Sequence, residues 1–409
     1  MSEEKRIISR SEHNISRKSI RDEALKVLYR LKKNGFDAYL VGGCVRDLLL
    51  HEEPKDFDVV TNAQPEQIRK LFRNSRIVGR RFKIVHVRFG RSFIEVATFR
   101  SQSQGSDGHR QVDHAGMVLR DNVFGTLEED AGRRDFTVNA LYYNVHDFSV
   151  VEYSSGFEDL NSRQIRMIGD PTERYREDPV RMLRAIRFAA KLGFEIEPQT
   201  AEPIRELAPL LQRVPSARLF EEVLKLFLGG HAVACFDALC LFGLYEHLFP
   251  LTHYCLRQQD SRDVLSLVRN ALRSTDERYA SGLPVTPAFL FAVMLWGPMN
   301  QIADRHRRSG MTEADAMQTA VSQVLSLQTQ RVAIPRRFSS PMQDIWALQP
   351  KLKQRRGRKP RRLISHPRFR AAYDFMLLRA ESGEELTQLC EWWTQYQTDH
   401  AQTEIGHVR

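Results

Sequence analysis

The sequence predicts an α+β protein in which a mixed β-sheet with flanking helices is followed by an all-helical region. Apolar runs of strand length alternate with helical periodicity over residues 19–100. After Pro171 helical periodicity dominates, punctuated by proline and glycine. A hydrophobic content of 42% in 409 residues allows a large core. A chain of this length divides into roughly two to four domains.

The first predicted elements lead to a glycine pair. Residues 1–18 are polar and we expect them to be disordered. A helix then begins at Ser19, with Asp22 three residues on as in a capping box, and ends at Gly35. The segment "AYLVGG" predicts a strand that runs into Gly42 and Gly43, "CVRDLLLH" predicts a helix, and "FDVVT" predicts a second strand.

The next elements complete the sheet. The segment "PEQIRKLFRN" predicts a helix that starts with Pro65, and "RIVG", "KIVHVRF" and "FIEVATFR" predict three strands. Residues 101–120 have little apolar periodicity, so we expect a mobile loop there. From Leu127 the pattern is helical, with strand-like interruptions at "FSVVEY" and "QIRMIG".

Composition limits the classes of function. Lys and Arg number 61 against 51 Asp and Glu, and the net charge of +10 favours an anionic partner such as nucleic acid. The 5 cysteines include no CxxC pair, which argues against a disulfide framework or zinc finger and fits a reducing cytoplasm. The N-terminus has no apolar signal core, and the longest apolar run, "AFLFAVMLW", is too short to span a bilayer and predicts a buried helix.

Two aspartates interrupt an otherwise buried strand in "PKDFDVV". Residues i and i+2 of an extended chain point to one face, so Asp56 and Asp58 would lie side by side with Phe57 turned away. Carboxylates that close resist ionisation unless a cation lies between them. The pair therefore predicts a site for divalent metal, with loop or helix-capping acids as the alternative.

A phosphate-binding turn is predicted about a dozen residues upstream, in "VGGCVRD". Gly42 and Gly43 separate a strand from a helix, and glycine lets backbone N–H groups approach phosphate oxygens. Arg46 lies one turn into that helix, within reach of a phosphate. With the aspartates, the turn predicts a site for a nucleoside triphosphate and two Mg²⁺ ions, for which Mn²⁺ could substitute.

A third carboxylate would complete such a site, and the sequence offers two. Glu95 is an acid within the apolar strand "FIEVATFR". Asp135, in "RRDFTVNA", lies between a doubled arginine and an apolar stretch. An edge-strand charge would explain the first and a helix N-cap the second. Spacing does not separate them.

An arginine-rich helix is predicted in "REDPVRMLRAIRFAAKLGF". Arg181, Arg184 and Arg187 recur at every third position and share one broad face. Asp178 precedes Arg181 by three residues, so the two could pair. The face is either a solvated basic surface or one that reads a base edge and grips phosphates.

The most basic run is "KLKQRRGRKPRR", in which eight of twelve residues are Lys or Arg. We expect these side chains to neutralise RNA phosphates. The eight are Lys351, Lys353, Arg355, Arg356, Arg358, Lys359, Arg361 and Arg362. Nearby aromatic residues could stack on unpaired bases, although Trp393 and its neighbours are expected in the core. They include Phe369, Tyr373, Trp392, Trp393 and Tyr396.

Four blocks resemble the successive motifs of the class II nucleotidyltransferases, which comprise the bacterial poly(A) polymerases and the CCA-adding tRNA nucleotidyltransferases. They are "VGGCVRD", "KDFDVVTNA", "RRDFTVNA" and "EDPVRMLRAIRF", in the family's order across residues 41–194. The stretch "RIVGRRFKIVHVRFG" resembles the "GRRF…HV" signature of the poly(A) polymerase branch. The resemblance implies template-independent addition of AMP from ATP to RNA 3′ ends, in polyadenylation and RNA turnover.

The resemblance also implies residue roles. Asp56 and Asp58 match the metal-binding residues. Asp135 matches an acid that the family counts with its catalytic residues, and on this ground it ranks above Glu95. The nucleotide-binding matches are Gly42, Gly43 and Arg46 for phosphates, Arg134 beside the ribose and phosphate, and Asp178, Arg181, Arg184 and Arg187 for selection of the base.

The implied organisation has five parts. After the disordered residues 1–18 come a nucleotidyltransferase head (19–150), a neck with the nucleotide-selecting helix (151–215), a helical body (216–350) and a basic helical RNA-binding tail (351–409). We expect ATP and single-stranded RNA 3′ ends as partners of a cytoplasmic monomer without a membrane span. Two alternatives stay open: a CCA-adding enzyme, or a non-catalytic RNA-binding protein with an inactive head.

Overall fold

The structure is a computed structural model that describes residues 5–79, 83–101, 110–112, 118–121, 123–258 and 262–406. The chain forms two compact units, Met1–Leu207 and Ala208–Arg409. The predicted α+β class is confirmed, because a mixed sheet with flanking helices precedes an all-helical part. No helix within the described ranges combines the length and apolarity needed to cross a bilayer.

The first unit contains the strands of the described chain. They are β1 (Arg6–Ile8), β2 (Ala38–Val41), β3 (Asp58–Thr61), β4 (Ser75–Val78), β5 (Ile84–Phe89), β6 (Ser92–Thr98), β7 (Arg110–Val112), β8 (Val118–Asp121), β9 (Tyr142–Tyr143), β10 (Val150–Glu152), β11 (Gln164–Ile165) and β12 (Glu195–Ile196). Eight form one sheet in the order β1-β10-β9-β2-β3-β6-β5-β4. Its strands pair antiparallel except for β3 and β6, which are parallel.

The first unit also contains helices, of which the first three pack on this sheet. They are α1 (Asp22–Lys33), α2 (Gly43–Leu49), α3 (Pro65–Leu71), α4 (Leu127–Gly132), α5 (Gly156–Asn161), α6 (Pro171–Glu177), α7 (Val180–Leu192), α8 (Pro198–Ala201) and α9 (Ile204–Leu207). Leu28, Val45 and Ile68 from the first three helices share a core with Val59 and Val96 of the sheet. One face of the sheet is therefore covered by these helices.

Strand alternation puts the predicted acids on the opposite face. In β6 the residues Ile94 and Val96 are buried in the helix-covered core, whereas Glu95 between them is half-buried. In β3 Val59 belongs to that core, and its neighbours Asp58 and Val60 point the other way. Asp58 and Glu95 therefore share the face opposite that core, whereas Asp56 precedes the first residue of β3.

Three expectations for the first unit were wrong. Residues 5–18 are ordered, because β1 pairs with β10 and adds an edge strand to the sheet. Ser19 does not cap α1; it ends a short 3₁₀ turn, and α1 begins at Asp22. The predicted loop at 101–120 lies largely outside the described residues, but its described parts form the antiparallel pair β7–β8.

The second unit is helical throughout its described residues. Its helices are α10 (Ser216–Phe227), α11 (Ala232–Leu241), α12 (Tyr245–Leu248), α13 (Pro250–Leu256), α14 (Arg262–Ala280), α15 (Pro287–Met294), α16 (Trp296–Arg308), α17 (Glu313–Thr329), α18 (Arg336–Leu352), α19 (Lys359–Ile364), α20 (Phe369–Glu381) and α21 (Thr387–Gly406). The apolar run "AFLFAVMLW" is buried in α15 and the start of α16, as predicted. A separate cluster joins α18 to α20 and α21 through Leu352, Phe369 and Trp393.

Candidate active site

Two carboxylates lie side by side on the sheet face opposite helices α1, α2 and α3. Asp58 in β3 and Glu95 in β6 are register partners, so their side chains project in the same direction from adjacent strands. Asp56 lies two residues before Asp58 and is also exposed, whereas Phe57 between them is buried. The sheet therefore assembles an acidic group from two segments that are far apart in sequence.

The surroundings of Asp58 raise the pKa of its carboxyl group. Solvent reaches its side chain, but protein atoms surround it on several sides. Burial, and then the charge of Glu95, raise the pKa of Asp58 to about 6; Asp56 adds to the rise and Arg134 opposes it. A raised carboxyl pKa between like charges means that a cation is favoured at this position.

The protein supplies only part of the coordination shell that a divalent metal would need at this site. No three His, Cys, Asp or Glu side chains converge into a ready-made metal site in the parts of the chain that the structure describes. Mg²⁺ commonly uses one or two carboxylates and completes its octahedral coordination with water and substrate phosphates. The paired acids are hard oxygen donors of this kind, and a bound triphosphate would supply further oxygens.

The glycine turn is adjacent to the acids. Gly42 has a φ of +75°, a conformation that favours glycine, and its N–H donates to the Leu141 carbonyl at 3.3 Å. A Cβ at Gly42 would lie 3.6 Å from the Arg134 guanidinium, and one at Gly43 would lie 3.6 Å from that of Arg46. The structure thus brings both predicted phosphate-binding arginines to the predicted turn.

Arg46 and Arg134 are held rigidly. Arg46 is buried, donating from Nη1 to Asn139 Oδ1 at 2.7 Å and from Nε to Asp47 Oδ1 at 2.9 Å. Arg134 donates from Nε to the Tyr142 hydroxyl at 2.8 Å and from Nη2 to Asp130 Oδ2 at 2.9 Å.

The Asp130 partner of Arg134 is ionised. Burial opposes ionisation of Asp130, but Arg134 and Arg133 outweigh it and lower the pKa of that carboxyl. Tyr142 also donates to the carboxylate, from its hydroxyl to Oδ2 at 2.9 Å. The Arg134 guanidinium is therefore fixed between one charged and one neutral oxygen.

Asp135 has a different environment from the sheet acids. Its Oδ2 accepts from Arg184 Nε at 2.6 Å, and its Oδ1 accepts from the Phe136 N–H at 2.9 Å. Burial would raise its pKa, but Arg184 dominates and lowers the pKa of Asp135 to about 2. Asp135 is thus neutralised within the protein, whereas Glu95 directly adjoins Asp58. Glu95 is the register partner of Asp58, whereas Asp135, which the resemblance ranked higher, is paired with Arg184.

The arginines of α7 lie on its less buried face, as predicted. Arg181 does not rely on Asp178 as its acid: it donates from Nη1 to Glu177 Oε2 at 2.9 Å and to the Arg174 carbonyl at 2.8 Å. Asp178 Oδ1 accepts from the Val180 N–H at 3.3 Å, which supports the start of α7.

The other two arginines of that face meet at an aromatic ring. The guanidinium groups of Arg184 and Arg187 lie 5.3 and 4.4 Å from the centre of the Phe188 ring. Arg46 reaches the same ring at 5.4 Å. Cations this close to an aromatic face are attracted by it, so Phe188 links α7 to the glycine-turn helix α2.

Sequence reasoning missed several residues of this site. Glu177 precedes Arg181 by four residues, a spacing that would have indicated the ion pair. Tyr142, Asn139 and Asp130 gave no comparable signal, because their roles depend on the strand order that brings β9 beside β2. His86, within "KIVHVRF", contacts Glu95 across the sheet.

The basic run lies in the second unit and is fully open. All eight of its Lys and Arg side chains are exposed, and none forms an ion pair with another described residue. Its neighbours Phe369, Tyr373 and Trp393 are buried in the tail cluster. The prediction that Trp393 belongs to the core is confirmed. The suggestion that Phe369 and Tyr373 stack on bases is wrong, because these rings pack on one another and on Trp393.

Family models match three parts of the chain. They are described as "Poly A polymerase head domain" over residues 38–166, "Probable RNA and SrmB- binding site of polymerase A" over 193–256 and "Polymerase A arginine-rich C-terminus" over 309–408. Poly(A) polymerase I of Escherichia coli O6:H1 is 51% identical over 398 residues, which is 96% of this chain and 85% of the relative. Poly(A) polymerase I of Haemophilus influenzae is 48% identical over 400 residues, covering 96% and 88%.

Solved structures give the same fold. The Bacillus stearothermophilus CCA-adding enzyme in complex with CTP is 26% identical with a TM-score of 0.59, covering 91% of this chain and 81% of that one. The apo form II of a CCA-adding enzyme, at 20% identity and a TM-score of 0.63 over 92% and 84%, shares the fold. The fold and the sheet-borne acids define a nucleotidyltransferase. Within that class, the chain belongs to the bacterial poly(A) polymerase family.

Proposed function

We propose that this enzyme adds AMP from ATP to RNA 3′-hydroxyls without a template. Family membership supports the reaction type. The observation that carries the proposal for this chain is the in-register pair Asp58 and Glu95, with Arg134 and the glycine turn beside it. This arrangement juxtaposes an acidic site for metal with cationic groups for phosphates, as nucleotidyl transfer requires.

The acids would hold Mg²⁺ or Mn²⁺ together with the triphosphate. We assign Asp56, Asp58 and Glu95 as the acids that line this position, of which one or two would bind each ion. Asp135 is instead paired with Arg184. Bound divalent metal activates an attacking hydroxyl and stabilises the leaving oxygen in reactions of this class. Asp58 is still ionised near neutral pH, because its raised pKa is about 6.

Arg134 and the turn would bind the phosphates. Arg134 projects to within ordinary contact distance of a Cβ position at Gly42, and its Tyr142 and Asp130 partners fix its direction. Gly43 opens α2, where N–H groups of the first turn lack intrahelical acceptors. We assign Arg46 to positioning the turn, because its guanidinium is already engaged by Asp47 and Asn139.

The start of α7 would select the base. Asp178 can accept from the 6-amino group of adenine, whereas guanine presents a carbonyl there. Glu177 holds Arg181 in place beside it. An unpaired buried acceptor costs about 1–3 kcal/mol. Such a cost corresponds to roughly a tenfold to hundredfold preference for ATP over GTP. Arg184 is tied to Asp135 and would order this surface rather than read the base.

RNA would bind the basic run of the second unit. The eight exposed cations have no protein partner among the described residues, so their charge is available to phosphates. We propose residues 351–409 as the RNA-binding tail. Its buried residues pack in one cluster with α18, which belongs mostly to the preceding helical body. The cytoplasmic location and the monomeric state are still predictions. Gel filtration would test the monomeric state.

The test is incubation with unstructured RNA and each nucleoside triphosphate separately, with Mg²⁺ present. We expect long tails from ATP and little product from CTP, GTP or UTP. Asp58→Ala should abolish tailing and leave RNA binding intact. Addition of C restricted to tRNA ends would overturn the proposal in favour of CCA addition. No pyrophosphate release with any divalent metal would indicate a non-catalytic RNA-binding protein.

A further inference from the structure

Three ionisable side chains form a row across neighbouring strands of the first unit. Asp58 of β3 is the register partner of Glu95 of β6, and Glu95 is the register partner of His86 of β5. Register partners on adjacent strands project from the same face. The row therefore begins at the acidic site and ends one strand beyond Glu95, at an imidazole ring.

The imidazole is placed against the Glu95 carboxylate. His86 Nε2 lies 3.2 Å from Glu95 Oε1, and the His86 ring stacks on Phe93 with 4.3 Å between ring centres and 15° between planes. Nε2 is buried and has no hydrogen-bond partner among the described residues, so its 3.2 Å approach to Glu95 Oε1 is a close contact and not an aligned hydrogen bond. The stack restrains the ring plane and keeps this nitrogen beside the acid.

Glu95 needs such a contact to hold one orientation. Its side chain is 43% exposed, and His86 is its ion-pair partner within the described residues. A glutamate with three side-chain torsions samples several rotamers when nothing restrains it. A carboxylate that binds metal is commonly oriented by a partner outside the metal's own coordination.

We propose that His86 is a positioning residue that holds the Glu95 carboxylate toward Asp58, ready for divalent metal and substrate. The proposal rests on the assignment of Glu95 as a metal-binding carboxylate made above. His86 itself touches neither nucleotide nor RNA in this scheme. Its contribution is a buried ring nitrogen beside the Glu95 carboxylate that is available to donate to it, and the aromatic stack supplies the rigidity.

Two substitutions separate the donor from the stack. His86→Phe keeps an aromatic ring on Phe93 but removes Nε2, whereas His86→Gln keeps an amide donor of similar reach but removes the ring. Arg88→Gln is the matched control, because Arg88 is exposed, lies two residues along the same strand and shares the face. Glu95→Gln and the double variant with His86→Phe complete a cycle.

Each protein is assayed for the rate of AMP addition over a Mg²⁺ series, for Mn²⁺ affinity by electron paramagnetic resonance without RNA, and for thermal unfolding. We expect His86→Phe to weaken Mn²⁺ binding and activity about 10–100-fold, as for other partners that orient metal-binding side chains. His86→Gln should recover most of the loss, Arg88→Gln should match wild type, and the double variant should be no worse than Glu95→Gln.

The two ways of failing are distinct. If Glu95→Gln binds Mn²⁺ as tightly as wild type does, Glu95 is not a metal ligand, and the assignment on which the proposal rests is overturned. A defective Glu95→Gln with a fully active His86→Phe would leave Glu95 in place and overturn positioning by His86. Equal losses in His86→Phe and His86→Gln, accompanied by lower melting temperatures, would reduce His86 to a packing residue and also overturn the proposal.

Discussion

Replacing Asp58 by Asn should stabilise the metal-free protein at neutral pH, although it abolishes tailing. The native pKa of Asp58 is raised to about 6, against 3.8 for an unperturbed aspartate. The native state therefore holds this proton more tightly than the unfolded chain does. Stability is retained below pH 3.8 and falls as the pH rises from there through about 6. Asparagine imitates the protonated acid and avoids this loss.

The size of the effect follows from the two pKa values. A difference of about two pH units at about 1.4 kcal/mol each gives an upper bound of about 3 kcal/mol. Because solvent reaches the Asp58 side chain, screening reduces the expected gain to about 1 kcal/mol. In a unit of this size, such a gain raises the melting temperature by about 2–4 °C.

The assay is thermal unfolding of wild type and Asp58→Asn in EDTA, at about pH 4 and about pH 7.5 on either side of the titration. We expect similar stability at the lower pH and a more stable variant at the higher. Glu52→Gln, at an exposed acid near the site, controls for the loss of any carboxylate. Mg²⁺ with ATP should then stabilise wild type but not the variant, because ligands stabilise the state they bind.

A variant that is no more stable than wild type at about pH 7.5, relative to the Glu52→Gln control, would refute the reasoning. It would mean that burial and the charges of Glu95 and Asp56 do not raise the pKa of Asp58 in the metal-free protein. The same result at both pH values would assign any difference to side-chain packing instead of charge.

Three further predictions concern the other assigned groups. RNA binding should weaken when Gln replaces Arg355, Arg356, Arg358 and Arg361. The slope of log affinity against log salt should flatten by about 0.7 per lost contact on single-stranded RNA. An unchanged slope would mean that the basic run does not contact RNA phosphates. Asp178→Asn, which keeps an acceptor for the Val180 N–H, should lower the ATP-over-GTP ratio at an unchanged melting temperature; a preserved ratio would assign base choice to other groups. Asp135→Asn should destabilise the protein by about 2 kcal/mol at neutral pH, because a pKa lowered to about 2 contributes stability above 3.8 that is lost as the pH falls through 2. Urea unfolding at about pH 7 and at about pH 2 measures this, and a difference that is the same at the two pH values would count against the ion pair with Arg184.

Local patterns were sufficient to predict most elements of the first unit. The strands before and after the glycine turn and the helices α2 and α3 follow from alternation, glycine and Pro65 at a helix start. The edge strand β1 could not be predicted, because three residues acquire strand structure only by pairing with β10. The two-residue strand β9 has the same origin, since it is defined by its neighbours β2 and β10.

The site was predictable as a set of residue types but not as a set of contacts. Asp56, Asp58, Gly42 and Arg46 are contiguous or nearly so, and their spacing carries information. Which acid lies beside Asp58 depends on the strand next to β3, and the parallel pairing of β3 with β6 places Glu95 there. The prediction that Phe369 and Tyr373 stack on bases failed for the same reason. Their position next to cations in the sequence suggested exposure, whereas the fold buries both rings.

The buried cluster of the tail has a consequence for proteolysis. The chain between Leu352 and Pro360, both buried, exposes arginines and lysines that trypsin recognises, and it contains a glycine with φ +69°. On one side of that segment, the Leu352 carbonyl accepts from Trp393 Nε1 on the other side at 2.9 Å. Cleavage within the segment would therefore yield two fragments that separate under denaturing conditions but stay associated in native buffer. We therefore expect packing alone, without the covalent link at the basic run, to hold α18 against α20 and α21.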